Sequence, residues 1–326
     1  MAPALPQEMD PALKTPNSAS GLEVPVIDLQ GSHGERRGVV VEQIRKACIE
    51  WGAFQIVNHG VSAALTERMR RVAREFFALP VEEKWKFSAS IPTTTVDLFY
   101  GYGTKEFGTK GALDRGDQLR HKTNPLSMRV YDQWPTNPAS YRETEEEYVA
   151  EQDKLNKHLL ELISESLGLS PSYLNDFFGE EYEQTFLVNH YFPSPESTPT
   201  EGIQKHSDFS SLTILMQMGP GLQFLKDGEW FPVEPISDAY AVNLGDQIEI
   251  LTNGLYKSPE HRVILTSEER FSIAAFSCPP DEKLIGPIAE LVSESKPIRY
   301  KSRTFAGYRT EVMTNPYMAK ALTTDA

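Results

Sequence analysis

The second half of the chain is cut into short β-rich runs by turn signals, and few folds accept that pattern. The runs cover 185–192, 211–218, 221–225, 229–233, 239–243, 247–251, 261–265, 271–277 and 298–301. Pro220-Gly221, Asp227-Gly228 and Asn253-Gly254 separate several of them. Strands this short and this closely spaced bury their apolar faces by closing into a sandwich or barrel.

The first half has a different texture. Residues 1–22 carry Pro and Ala without periodicity and are expected to form a flexible tail. Val24–Leu29 and Phe54–Val57 read as strands, the second closed by an Asn58-His59-Gly60 turn. Helical spacing predicts a helix over 39–51, with Val40, Ile44, Ala47 and Cys48 as its stripe. A second helix is expected over 63–78, on Leu65, Met69, Val72, Phe76 and Phe77, and Pro80 ends it. A third runs from about 142 to 167, buried through Tyr148, Leu155, Leu159, Leu160 and Ile163, with Gly168 as C-cap. Between these, 88–140 is punctuated by Gly and Pro and reads as long loops with at most short strands. Loops of that length in a compact enzyme are usually functional or lid-like. The expected chain is mainly β with flanking helices: an α+β N-terminal part at 23–180, a β core at 181–315 and a tail at 316–326.

Acidic residues number 46 against 32 basic ones, a net charge of −14 that disfavours nucleic acid and anionic lipid as partners. Two cysteines, Cys48 and Cys278, cannot build a disulfide framework and fit a reducing compartment. No apolar run is long enough to suggest a membrane span, and the N-terminus lacks a secretory h-region. A cytoplasmic protein, monomeric and without nucleic-acid or membrane partners, is expected.

Among seven histidines, His206 stands in His206-Ser207-Asp208, just before the apolar run Leu212–Leu215. In extended chain, residues i and i+2 share a side, so one imidazole and one carboxylate can face the same ion. His261 opens another β-run, and strands far apart in sequence become neighbours in a double-sheet fold. Two His and one carboxylate leave three metal positions open, the set used by non-haem Fe(II) oxygenases. Spacing alone does not choose the third ligand. Arg270 and Ser272 share a strand face and can grip one carboxylate, Arg through its planar fork. The competing reading of Arg270 is a surface ion pair with Glu268 or Glu269. Asn189 and Tyr191 also share a face. Two anion grips beside an open metal suit a dicarboxylate co-substrate.

With these residues in place the sequence resembles the plant Fe(II)/2-oxoglutarate-dependent dioxygenases of flavonoid, alkaloid and hormone pathways, which share the isopenicillin N synthase-like fold. The matching stretches run in order from Val24–Leu29 and Trp51–Val61 (WGAFQIVNHGV) through His206–Gln217 (HSDFSSLTILMQ), Asn243–Asn253 (NLGDQIEILTN) and Tyr256–Val263 (YKSPEHRV) to Arg270–Pro280. They span roughly 24–310. The resemblance implies a double-stranded β-helix, or jelly roll, in the core. It implies Fe(II) on His206, Asp208 and His261, and 2-oxoglutarate held by Arg270 and Ser272 with Asn189 and Tyr191 assisting. It implies O₂ as co-substrate, ascorbate as reductant, and oxidation of a small metabolite by hydroxylation, desaturation or O-demethylation, coupled to succinate and CO₂. The same fold also serves oxidases that do not use 2-oxoglutarate, and a metabolite-binding protein on this scaffold is a third reading. His59 in its turn, and Trp51 and Trp230, read as architecture, and Glu82-Glu83-Lys84 as a solvated helix start.

The expected substrate pocket is built from Phe276, Phe209, Arg120, Gln118, Leu187 and Tyr102. Several of these depart from the family pattern. Arg115, Gln118 and Arg120 stand where flavonoid-type members carry aromatics, and Leu187 stands where many carry Arg or Lys. A guanidinium at 120 can pair with an acidic or carbonyl-rich substrate, or it can snorkel to the surface. Phe209 narrows the space beside the metal, and Phe276 matches an aromatic that stacks on ring substrates. The segment 304–326, with Phe305, Tyr308, Met313 and Tyr317, resembles the element that closes over the site.

Overall fold

The computed structural model describes residues 22–88, 100–104, 116–194 and 200–314. Its first half comprises β1 (Val26–Asp28), α1 (Arg37–Glu50), β2 (Ala53–Val57), α2 (Ala63–Phe77), α3 (Val81–Trp85), β3 (Gly101–Thr104), β4 (Gly116–Asn124), α4 (Tyr141–Ser166) and α5 (Tyr173–Phe178). The second half comprises β5 (Glu183–Tyr191), β6 (Glu201–His206), β7 (Leu212–Met218), β8 (Leu222–Lys226), β9 (Glu229–Pro232), β10 (Tyr240–Leu244), α6 (Asp246–Leu251), β11 (His261–Ile264), β12 (Arg270–Cys278), β13 (Leu284–Ile285), β14 (Arg303–Thr304) and α7 (Phe305–Thr314). The stretch 1–21, Arg115 and Tyr317 lie outside the described residues, as does the expected tail at 316–326.

Two sheets face each other. The larger has the order β1-β2-β10-β7-β12-β5-β4-β3 and the smaller β6-β11-β8-β9. This is the jelly roll with flanking helices. Alternation along each strand sorts the side chains between two cores. On β5, Phe186 and Val188 join the helix-side core with Ile214, Met216, Val242 and Ile273. Their neighbours Leu187, Asn189 and Tyr191 face the space between the sheets. A second core between the sheets packs Trp51, Leu215, Phe224, Phe231 and Ala274.

The helices cover the outer face of the larger sheet. Val40, Ile44, Ala47 and Cys48 are the buried stripe of α1, and Leu65, Met69, Val72, Phe76 and Phe77 lie buried on α2. Arg37 ties α1 to α4 through a 2.8 Å bond to Glu165. Gly168, at φ 78°, takes the left-handed turn that closes α4.

Four expectations are corrected. The run 247–251 is the helix α6, not a strand: Glu249 N–H bonds Gly245 O (3.3 Å) and Thr252 N–H bonds Ile248 O (2.9 Å). An Ile-x-Ile pair fits either period over so few residues. Residues 298–301 form no named strand, and the backbone there is held by Asn253, which accepts from Arg299 N–H at 2.8 Å. The stretch 88–140 contains the nine-residue strand β4, a full member of the larger sheet. Its sequence GDQLRHKTN hides it, because the inward residues Gln118 and Arg120 that line the cavity between the sheets are themselves polar. Lys84 is not solvated but 8% exposed, bonding Phe77 O (3.1 Å) and Asp117 (3.4 Å).

The halves at 23–180 and 181–315 share one sheet. β1 and β2 extend one edge of the core strands and β4 and β3 the other. Gly116 lets β4 lie close on β5, since a Cβ there would sit 2.2 Å from His190 O.

Candidate active site

Pairing of β6 with β11 sets His206 directly opposite His261. Asp208 follows two residues after β6, its own carbonyl accepting from Asp246 N–H at 2.8 Å. The His206 and His261 Nε2 atoms lie 3.7 and 3.6 Å from Asp208 Oδ1. One donor atom from each residue falls within 4.8 Å of the other two, a spacing that can hold one metal ion.

The surroundings suit a cation. His206 Nδ1 faces Gln204 O at 2.8 Å and His261 Nδ1 faces Pro259 O at 3.2 Å. A carbonyl can only accept, so Nδ1 carries the proton and Nε2 keeps its lone pair toward the shared point. Asp208 Oδ2 accepts from Thr213 (2.7 Å) and Asn243 (3.3 Å), which turns Oδ1 toward both imidazoles. Burial alone would raise the Asp208 carboxyl, but His261, His206 and the bonds from Thr213 and Asn243 hold it below the usual carboxylate range. Imidazole and carboxylate with open positions is the donor set of non-haem Fe(II). Thr213 and Asn243 were not among the residues expected here. Thr213 was within reach of sequence reasoning, five residues after Asp208, but Asn243 comes from β10 and carried no signal.

These residues line a cavity of about 300 Å³ between the sheets. Arg270, at the start of β12, is 2% exposed in its floor. Its Nε donates to Gly219 O at 3.3 Å and its guanidinium lies 4.8 Å from the Tyr191 ring centre. Nη1 and Nη2 have no hydrogen-bond acceptor among the described residues. The surface ion-pair reading fails, since Glu269 instead bonds His190 at 2.6 Å. Gly221 makes the slot for this side chain: at φ +126° a Cβ would meet Ile264 O at 2.4 Å and Arg270 Cδ at 3.5 Å. Burial draws the Arg270 pKa down and Tyr191 partly restores it. Across the sheet, Arg270 pairs with Tyr191 and Ser272 with Asn189, so all four meet on one face. Asn189 Nδ2 lies 3.4 Å from Ser272 Oγ.

Phe209, Phe276, Leu187, Gln118 and Arg120 line the same cavity. Tyr102 does not. It pairs with Leu119, the residue of opposite parity to Gln118 and Arg120, and points into the helix-side core. There it bonds Asp117 at 2.8 Å and packs edge-on against Trp85. Arg120 is 9% exposed and does not snorkel. Of the closing segment, Phe305 and Tyr308 are buried and Met313 half-buried. Phe305 stands 6.3 Å from the Phe209 ring, and Tyr308 anchors α7 to Asp246 at 2.8 Å.

Residues 24–137 match the family described as non-haem dioxygenase in morphine synthesis, N-terminal, and 182–279 match the 2OG-Fe(II) oxygenase superfamily. Jasmonate-induced oxygenase 4 of Arabidopsis thaliana is 40% identical over 311 residues, covering 94% of this chain and 86% of that protein. Oxoglutarate-dependent flavonoid 7-O-demethylase 1 of Ocimum basilicum is 39% identical over 291 residues, 88% of this chain and 77% of that one. The crystal structure of JOX2 with 2OG, Fe and JA superposes with a TM-score of 0.84 at 37% identity, covering 93% and 90% of the two chains. The rice dioxygenase for auxin oxidation gives 0.79 at 26% identity, covering 93% and 100%.

Proposed function

The chain belongs to the 2OG-Fe(II) oxygenase superfamily, and on that premise we propose that His206, Asp208 and His261 hold its iron while Arg270 and Ser272 take the distal carboxylate of 2-oxoglutarate, beside Asn189 and Tyr191. The protein is an Fe(II)/2-oxoglutarate-dependent dioxygenase that oxidises a small organic substrate. Iron with 2-oxoglutarate supplies, when bound, O₂ activation coupled to decarboxylation of the keto-acid to succinate.

The remaining work belongs to the side chains. Thr213 and Asn243 fix the Asp208 carboxylate, and the carbonyls of Gln204 and Pro259 fix the tautomer and tilt of the two imidazoles. The Arg270 fork is pre-positioned by Gly219 and Tyr191, so little side-chain freedom is lost when a carboxylate arrives. Phe209, Phe276 and Leu187 give the substrate end an apolar wall that excludes water and selects which C–H bond faces the metal. That placement decides between hydroxylation, desaturation and O-demethylation. The substrate is a small specialised metabolite or hormone, as the relatives named for jasmonate, flavonoids and auxin suggest. No helix among the described residues is long and apolar enough to cross a membrane. Together with the buried free thiols this supports a cytoplasmic enzyme, which we take to act as a monomer.

The observation that carries the reading is the meeting of the three donors and the open Arg270 fork in one cavity. The test is succinate formation and O₂ uptake with Fe(II), ascorbate and 2-oxoglutarate, for the wild type and Asp208→Ala. Loss of both signals in the variant, and after chelation of the wild type, is expected. A fully active variant would sink the metal assignment, and O₂ uptake indifferent to 2-oxoglutarate would sink the co-substrate assignment.

A further inference from the structure

The cavity holds a second buried guanidinium, that of Arg120. Arg120 Nε and Nη1 have no hydrogen-bond acceptor among the described residues. Among the described residues the one acidic side chain lining the cavity is Asp208, already held by Thr213 and Asn243. Buried N–H donors left without acceptors cost free energy, and a buried unpaired charge costs more. Such a group persists where a ligand completes it.

Strand register shows where the ligand would lie. Arg120 is level with Leu187 and Ala274, whereas Arg270 is level with Tyr191 and Gly116. The two arginines are therefore four residues apart along the strands, roughly 13 Å, and two strands apart across the sheet, roughly 10 Å. Their backbones thus stand at different ends of one cavity. Leu187, Ala274 and Leu215 form an apolar row beginning at Arg120 and running toward the strand that carries Thr213, the anchor of Asp208. A ligand lying along that row has an apolar body, one end at the metal triad and the other at a planar cation. Arg matches carboxylate with two parallel N–H bonds, whereas a lone carbonyl or hydroxyl would leave its charge unbalanced.

Resting on the oxygenase reading above, we propose that Arg120 binds a carboxylate of the substrate, so that this enzyme oxidises an apolar carboxylic acid held by the end remote from the reacting carbon. Burial lowers the Arg120 pKa to about 10, which leaves the group charged at neutral pH. Arg120 is thus a specificity-determining residue, distinct from the co-substrate grip at Arg270.

The test uses matched pairs: aromatic and medium-chain carboxylic acids, each beside its methyl ester, with Fe(II), ascorbate and 2-oxoglutarate. Products are read by mass and succinate, and binding by calorimetry on the Mn(II)–2-oxoglutarate complex. Wild type is expected to bind and oxidise acids and to discriminate against the esters. In Arg120→Met the KM for an acid should rise roughly 100-fold or more, the usual scale for truncating one partner of a buried charge pair, with a smaller change in kcat. Arg120→Lys keeps the charge without the fork and should recover part of the affinity. A merely structural arginine would shift acids and esters alike. Wild-type preference for esters or neutral compounds would overturn the proposal, as would an unchanged acid KM in Arg120→Met. It would also fall if Arg120→Met lost 2-oxoglutarate affinity rather than acid affinity. Absence of 2-oxoglutarate binding in the wild type would overturn the oxygenase reading instead, and this inference with it.

Discussion

Replacing Arg270 by Met separates a ligand grip from a structural cation. The side chain is 2% exposed, and its Nη1 and Nη2 lack acceptors among the described residues. Two charge-assisted bonds to a bound carboxylate contribute about 1.5–3 kcal/mol each. Their loss should weaken 2-oxoglutarate binding roughly a hundred- to ten-thousand-fold, at 1.4 kcal/mol per decade. The ligand-free protein should behave differently. Met removes two orphaned donors, a gain of about 1–3 kcal/mol, and forfeits the Gly219 bond and the Tyr191 face, a loss of about 1–2 kcal/mol. For 326 residues the unfolding entropy is about 0.7 kcal/mol/K, so the ligand-free Tm should move by no more than about 3 °C. At a ligand concentration of 100 Kd the wild type gains about 2.7 kcal/mol, near 4 °C, and the variant gains almost nothing. Thermal melts of the Mn(II) protein with and without 2-oxoglutarate read both quantities. A ligand-free melt lowered by more than about 5 °C would mean that Arg270 holds the fold together. A preserved ligand shift would mean that 2-oxoglutarate is held elsewhere.

Thr213→Val removes the 2.7 Å bond to Asp208 without touching the ligand set, and metal titration should show about 10–100-fold weaker binding. Glu145→Ala breaks the fully buried pair with His121 (2.8 Å), whose other nitrogen faces Gln133 O; the cost of about 3–5 kcal/mol should lower Tm by about 4–7 °C. His59 accepts from Val61 N–H at Nδ1 (3.3 Å) and donates to Asp238 O (2.8 Å), so the fold wants it neutral, and burial pushes its pKa below 6.5. Its contribution is present above pH 6.5 and is lost as pH falls through the folded value, so denaturant titrations should show a flatter acid-side slope in His59→Phe.

What could be read from sequence alone was whatever an apolar period or a fixed offset spelled out. The α1 and α2 stripes and the strands around 186, 214 and 273 carry large side chains into a core, and their alternation survives in the text. Arg270 and Ser272, and Asn189 and Tyr191, needed the period of two alone. β4 is hidden because its inward Gln118 and Arg120 are polar, and β6 because Ile203 is its one large apolar residue. Tyr102 was misplaced for a related reason: without the register to Leu119 nothing says which side of the sheet it takes. Lys84 on α3 reads as solvated because its partner Asp117 comes from β4, distant in sequence. Asn243, likewise, reaches Asp208 through the pairing of sheets that no local pattern announces.

The placement of β2 has a consequence for synthesis. Its parallel neighbour β1 is at hand early, but its other edge pairs with β10, Ala53 opposite Asn243, about 190 residues later. At 5–20 residues per second the ribosome needs roughly 10–40 s to deliver that partner. Throughout that interval the segment Ala53-Phe54-Gln55-Ile56-Val57, almost wholly buried in the finished protein, carries an unpaired apolar edge. An edge of that kind templates pairing with other chains. Nascent molecules of this enzyme should therefore gain from chaperone cover until β10 emerges, and yield in a heterologous host should rise with chaperone supply; a yield indifferent to it would refute the argument.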